Sequence, residues 1–202
     1  MPNDLAVVKG ELTSQDTDGW STLINCASSH IYLKQMNRKC ESALENGAEP
    51  VRVLSSVLGQ NYPSDELEYS WKKLMQNHPH DSICCCSVDE VQDEMATRFN
   101  KSKQVADYLV SEGTRYIADK INTKEYEKYK NALPFVVFNT TGRKRTSVVS
   151  VEIDVTRKSG WLKKCAYDLD EINVPNYKLI DSAGNSIPFK IEDLGVRFGY
   201  DL

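Results

Sequence analysis

Between Val88 and Ile121 the residues Val88, Val91, Met95, Phe99, Ala106, Leu109, Gly113, Ile117 and Ile121 recur at helical spacing. The stripe runs for about 35 residues, and a helix of that length needs partners along it. Two other helical patterns precede it. In the first, Leu23 and Ala27 lead into Ile31, Leu33, Met36, Cys40, Ala43 and Leu44. Gly47 and Pro50 punctuate that run, so Glu49-Pro50 is expected to start a separate helical piece carrying Val51, Leu54, Val57 and Leu58, since proline is tolerated in a first turn. Gly59 is its expected stop. The second pattern starts at Pro63-Ser64, with Asp65 and Glu66 where the positive helix end favours acids, and puts Leu67, Trp71, Leu74 and Met75 on one face. Pro79 must end or kink it. Ser87-Val88-Asp89-Glu90 reads as a capping box for the long third helix. The pattern predicts an antiparallel three-helix bundle over residues 21–131.

After Pro134 the period changes. Phe135-Val136-Val137-Phe138 is a compact β-type run ended by Asn139-Thr140-Thr141-Gly142. Val149, Val151, Ile153 and Val155 then alternate with polar residues, as in a half-buried strand. Residues 178–191 read as a hairpin around Ser182-Ala183-Gly184-Asn185. Residues 132–202 are therefore expected to form the start of an antiparallel β-sandwich, an incomplete one, and the fold class is α+β. Residues 1–20 read as a lead-in.

The 202 residues carry 25 Lys and Arg against 29 Asp and Glu, a formal net charge of -4. That balance argues against nucleic acid, whose phosphates demand a basic face. No apolar run approaches the roughly 18–20 residues that cross a bilayer, so no membrane partner is expected. Met1-Pro2-Asn3-Asp4-Leu5 lacks the basic and apolar regions of a secretory signal, and the expected compartment is the cytoplasm. Six cysteines in that setting are expected to be reduced, with Cys26, Cys40 and Cys165 acting as small buried hydrophobes. Trp71, Phe99 and Tyr108 are expected in the core, and Trp20 and Trp161 at the surface.

The chemistry is concentrated in Asn77-His78-Pro79-His80-Asp81-Ser82-Ile83-Cys84-Cys85-Cys86-Ser87, between the second and third helices. His78, His80, Cys84 and Cys86 offer imidazole and thiolate donors for a local zinc or copper site. The blander readings are a His80 that caps the preceding helix, a His78 that fills space, and an Asp81 that caps the next turn. No second half-site such as Cys-x-x-Cys accompanies the cluster.

Trp71-Lys72-Lys73-Leu74-Met75-Gln76-Asn77-His78-Pro79-His80-Asp81-Ser82-Ile83-Cys84, continued by Asp89-Glu90-Val91, Met95 and Thr97-Arg98-Phe99, resembles the family 38 glycoside hydrolases, the zinc-dependent retaining α-mannosidases of bacterial type. Ser28-Ser29-His30-Ile31 to Asn37 is similar to the start of that family's helical bundle, and Val136-Val137-Phe138-Asn139-Thr140 to its first β-domain strand. The resemblance covers nearly the whole chain. It implies that residues 1–20 are the tail of a catalytic-domain region, that His80 is a zinc ligand and that Asp81 contacts sugar hydroxyls. It also implies an α-mannoside substrate, Zn2+ as cofactor and a catalytic-domain polypeptide as partner. The family's nucleophile and other zinc ligands belong to that domain, so no catalytic residue is expected on this chain, and it is expected to be inactive alone. The alternative is a non-catalytic helical-bundle remnant. At three positions the chain departs from the family: Cys85 stands where glycine is usual, His30 where arginine is, and Gln92 where histidine is. A glycine there implies a tight turn, which would strain Cys85 if its φ is positive.

Overall fold

The computed structural model describes residues 29–129, 132–152 and 178–192. The expectations for residues 1–28, Ile153, Val155, Trp161, Cys165 and 195–200 lie outside them. The described residues fall in two compact units, one ending at Val148 and one starting at Val149.

The first unit is built from helices α1 (Ile31–Ala43), α2 (Glu49–Val57), α3 (Ser64–Met75), the single turn α4 (His80–Ile83) and the long α5 (Asp89–Ala118), with a 3₁₀ turn at Lys124–Lys128. As expected, a separate helical piece starts at Glu49 with Pro50 in its first turn, but no gap precedes it. A π-turn, Leu44–Ala48, carries α1 directly into α2, with the Glu49 N–H bonding the Leu44 carbonyl five residues back. One wider turn absorbs the proline, which has no N–H to give the Asn46 carbonyl of the preceding turn. That carbonyl instead accepts the Thr140 hydroxyl at 2.6 Å.

Cross-helix contacts set the topology. Ser70 on α3 meets Ser102 on α5, while Asn77 farther along reaches back to Met95, so α3 and α5 run antiparallel. Trp71 bonds Glu49 and His78 bonds Asn37, which makes α3 antiparallel to α1–α2 as well. The first and third long helices are therefore parallel: Cys40 meets Phe99, and Gly47 and Gly113 lie against Val110 and Val51 respectively. The bundle is three-helix, up-down-up.

Leu33, Cys40, Leu44, Ala48, Leu67, Leu74, Met95, Phe99, Ala106 and Leu109 make the core. Burial pushes the Cys40 thiol above its ordinary range, as expected of a small hydrophobe. On α5 the buried face runs 92, 95, 99, 102, 106, 109, 113, the three- and four-residue steps of one helix side. Tyr108 lies one residue, about 100° of rotation, off that line and is 60% exposed, against expectation. Met75 leaves the α3 face for the same reason, and Trp71 is only half-buried, its indole N–H held by Glu49 at 2.7 Å. On α2 Val51 is buried, but Leu54, Val57 and Leu58 face outward while Arg52 and Ser55 turn inward. The Arg52 guanidinium clamps the turn beyond by bonds to Gln60 Oε1 at 2.7 Å and the Asn61 carbonyl at 2.9 Å.

Gly59 stops α2 as expected. Its φ is 100°, and the bonds Gly59 N–H to Ser56 O (2.9 Å) and Gln60 N–H to Ser55 O (3.0 Å) complete a Schellman motif. The outer face of α5 is solvated, with i,i+4 pairs Arg98–Glu94 and Lys103–Asp107.

Residues 132–140 carry no regular structure, and Asn139 organises the turn after them by accepting the Thr141 N–H and bonding the Arg143 carbonyl. No β-strand occurs among the described residues, so the β half of the expected architecture is met only locally. In the second unit Ile180 and Ser186 form an antiparallel bridge around the expected turn. Asp181 closes it: its carboxylate accepts the Asn185 side-chain amide at 2.9 Å and the backbone N–H groups of Asn185 and Ala183 at 2.8 and 2.9 Å. The Asn185 amide, followed by its backbone N–H, holds the Asp181 carboxyl below its ordinary range.

Candidate functional site

The His80–Asp81 segment sits at the end of the bundle where α1 and α5 begin and α3 ends. Pro79 precedes the turn α4 in extended geometry, with φ -48° and ψ 138°, which stops α3 from continuing. His80 therefore opens a new helical turn. No side-chain bond caps the start of α4, and the side chains of His80 and Asp81 meet each other. His80 Nε2 lies 3.2 Å from Asp81 Oδ1, and the two side chains are 74% and 73% exposed. The two residues singled out by sequence are thus adjacent and directed to solvent.

The turn beneath them is closely tied. The Asp81 carbonyl accepts the Cys86 N–H at 3.0 Å and the Ser87 hydroxyl at 2.7 Å. Ser87 therefore does not form the expected capping box, because its hydroxyl is spent on the preceding loop and Val88 occupies the cap position of α5. Gln92, where the resemblance implies histidine, is buried and donates to the Ser87 carbonyl at 3.1 Å. At the end of α3, the fully buried Asn77 donates to the Met95 carbonyl at 3.2 Å. His78 Nε2 is 2.7 Å from Asn37 Oδ1 on α1. His78 is thus a cross-helix strut, the polar-filler reading. His30 has φ 42°, with its ring edge-on to Tyr32 at 5.9 Å between centroids.

The expectation for Cys85 is met. Its φ is 63°, and the bonds Cys85 N–H to Ser82 O (2.9 Å) and Cys86 N–H to Asp81 O (3.0 Å) make a second Schellman motif with Cys85 in the left-handed position. A side chain there costs roughly 1–2 kcal/mol that glycine does not incur. Cys85 also packs against the core, which offsets part of that cost. Cys85→Gly is expected to stabilise the chain by about 1 kcal/mol. Chemical denaturation of both proteins checks this, and an unchanged or lower midpoint would mean that the thiol's packing outweighs the strain.

Among the described residues no three His, Cys, Asp or Glu side chains converge on a point that could hold a metal ion. The rival reading of a local site from His78, His80, Cys84 and Cys86 gains no support, since these side chains do not converge and His78 is engaged with Asn37. A zinc site needs three or four protein ligands, and His80 by itself does not fit the ion. Sequence reading missed Asn37, Asn77 and the role of Gln92. The Asn37–His78 partnership spans 41 residues, and no local pattern announces a bond between segments so far apart.

Residues 21–117 match the family described as the alpha mannosidase middle domain, and residues 130–202 match glycosyl hydrolases family 38 C-terminal domain 1. A protein of Halalkalibacterium halodurans named "Putative mannosylglycerate hydrolase" is 42% identical over all of this chain. The crystal structure of an alpha-mannosidase from Enterococcus faecalis superimposes on the whole chain with a TM-score of 0.80 at 43% identity. A second Enterococcus faecalis structure, of a protein in glycosyl hydrolase family 38, covers 90% of the chain with a TM-score of 0.79 at 41% identity. The chain spans 22% of the Halalkalibacterium protein and 23% and 22% of the two Enterococcus chains. Two consecutive domain matches within one family, carried on a bundle of the same fold, establish that the chain belongs to glycosyl hydrolase family 38.

Proposed function

We propose that this chain forms part of a retaining, zinc-dependent α-mannosidase that hydrolyses terminal α-mannosides. Residues 1–20 are the tail of a catalytic-domain region, 21–131 the helical middle domain and 132–202 the start of a C-terminal β-sandwich. His80 supplies one imidazole to the metal and Asp81 contacts sugar hydroxyls, in a site completed by a catalytic-domain polypeptide of the same enzyme. One observation carries this reading. His80 and Asp81 are both exposed on a turn tied through its backbone, and their side chains meet each other rather than the bundle that holds them.

The bound zinc would act as a Lewis acid toward the sugar's oxygens. This chain's share is to bind and orient. The Asp81 carboxylate accepts hydrogen bonds from hydroxyls, and α4 holds it beside the imidazole. The nucleophile and acid/base carboxylates of a retaining glycosidase stand about 5 Å apart, and both are assigned to the catalytic domain. The purified chain with added zinc is therefore expected to show no turnover of an aryl α-mannoside. With the catalytic-domain polypeptide present, activity is expected, and His80→Ala should reduce it by at least about 10-fold, the low end for losing a metal-site partner. Turnover by the chain alone would overturn the assignment, and full activity of His80→Ala would remove the metal role. The name of the Halalkalibacterium relative favours a second reading in which the mannoside carries a glycerate carboxylate. Comparing mannosylglycerate with a neutral mannoside in the same mixture separates the two.

A further inference from the structure

We infer that Lys34 and Cys85 form an oxidation-sensitive pair, in which a hydroperoxide converts the Cys85 thiol to a sulfenic acid and the Lys34 amine then closes a sulfenamide bond to the same sulfur. Lys34 Nζ donates to Cys85 Sγ at 3.2 Å and to the Ser29 carbonyl at 2.6 Å, so the nitrogen is held against the sulfur from two sides. The sulfur is equally constrained. Cys85 occupies the left-handed position of the turn, with φ 63°, and the backbone bonds of that turn fix the direction of its Cα–Cβ bond. Both side chains are half-buried, which admits a small oxidant. A positive group beside a partly exposed cysteine is the setting in which thiols react with peroxide.

The two steps balance. The sulfur attacks one oxygen of the hydroperoxide, the O–O bond breaks and an S–O bond forms, and for hydrogen peroxide the departing hydroxide leaves as water with the thiol's proton. Sulfur is oxidised and the peroxide reduced. Lys34 then gives its ammonium proton to water, and the freed nitrogen lone pair attacks that sulfur; an S–N bond replaces the S–O bond, and the hydroxyl leaves as water with a second proton from nitrogen. Cys84 and Cys86 are the competing thiols, but a disulfide between residues so close along the chain is strained. The bond would join residues 51 apart, fastening the first turns of α1 to the segment that carries His80 and Asp81. It forms whether or not His80 holds a metal, so its test is independent of the proposed activity.

The full chain is treated with hydrogen peroxide, digested and mapped by mass spectrometry. The expected product is one cross-linked peptide joining Lys34 to Cys85, lighter than the sum of its parts by about 2 Da and cleaved by dithiothreitol. Lys34→Arg keeps the charge and removes the amine. It should show no cross-link, while dimedone captures Cys85 as the sulfenic acid. A double variant, Cys84→Ser with Cys86→Ser, should retain the cross-link. A disulfide among the three cysteines in place of the cross-link would overturn the proposal. So would equal dimedone capture of Cys85 in the wild type and in Lys34→Arg.

Discussion

Replacing Phe99 by alanine should lower the stability of the bundle by about 3–5 kcal/mol, the range for truncating a large aromatic in a packed core. Phe99 is fully buried about a third of the way along α5, and it is the largest of the fully buried side chains among the described residues. Its ring lies on the line shared with Met95, Ala106 and Leu109, so removing it opens a cavity in the buried cluster that these residues form with Leu33, Cys40 and Leu74. A domain of this size is stable by about 5–15 kcal/mol in total, so the variant loses a large share of its margin. Urea titration followed by far-UV circular dichroism gives the difference. Tyr108→Ala is the control. It removes a comparable ring from the same helix at a position 60% exposed, and it should change stability by no more than about 0.5 kcal/mol. Similar losses for the two variants would contradict the burial pattern of α5.

Gly113→Ala should also destabilise, and here the sign is the test. In a solvated helix interior the substitution would stabilise by about 1 kcal/mol. At Gly113, however, an added Cβ would sit 2.6 Å from Val51 Cγ1 and 3.1 Å from Arg52 Cδ. The valine methyl cannot swing away, because a β-branched side chain in a helix has essentially one rotamer. Overpacking of this kind costs about 1–3 kcal/mol, so after the propensity gain the expected net loss is up to about 2 kcal/mol. Combining the change with Val51→Ala removes the clashing methyl, and the two effects should then be strongly non-additive. Gly47→Ala meets Val110 Cγ2 at 3.1 Å and should cost less. A rise in stability for Gly113→Ala would show that α5 and α2 do not approach as closely as described.

Much of the fold was legible because helices and their stops are local. The three- and four-residue steps of α3 and α5, the Gly59 stop and the interruption at Pro79 all follow from neighbours within one or two turns. The left-handed strain at Cys85 was announced by the resemblance, which implies glycine at that position. What could not be read locally lies where a local rule has two outcomes. Pro50 begins α2 as its local rule predicts, but whether a gap or a π-turn precedes it is not a local matter, and the π-turn here goes with Thr140 reaching the Asn46 carbonyl from 94 residues away. Ser87 can cap α5 or bond backward, and the Asp81 carbonyl takes it.

The candidate site divides along the same line. By itself the sequence determined that a histidine and an aspartate stand side by side after a helix-ending proline, since adjacency and the proline's missing N–H are properties of the chain alone. Only the tertiary structure decided that both face solvent, that His78 is bound to Asn37, and that Lys34 lies against Cys85. Those contacts join residues 41 and 51 apart, and their geometry follows from how the three long helices close around one core. Periodicity says which face of each helix is apolar. The depth to which one helix sinks into another is set by side chains such as Gly113 and Val51, which meet only once the bundle is packed.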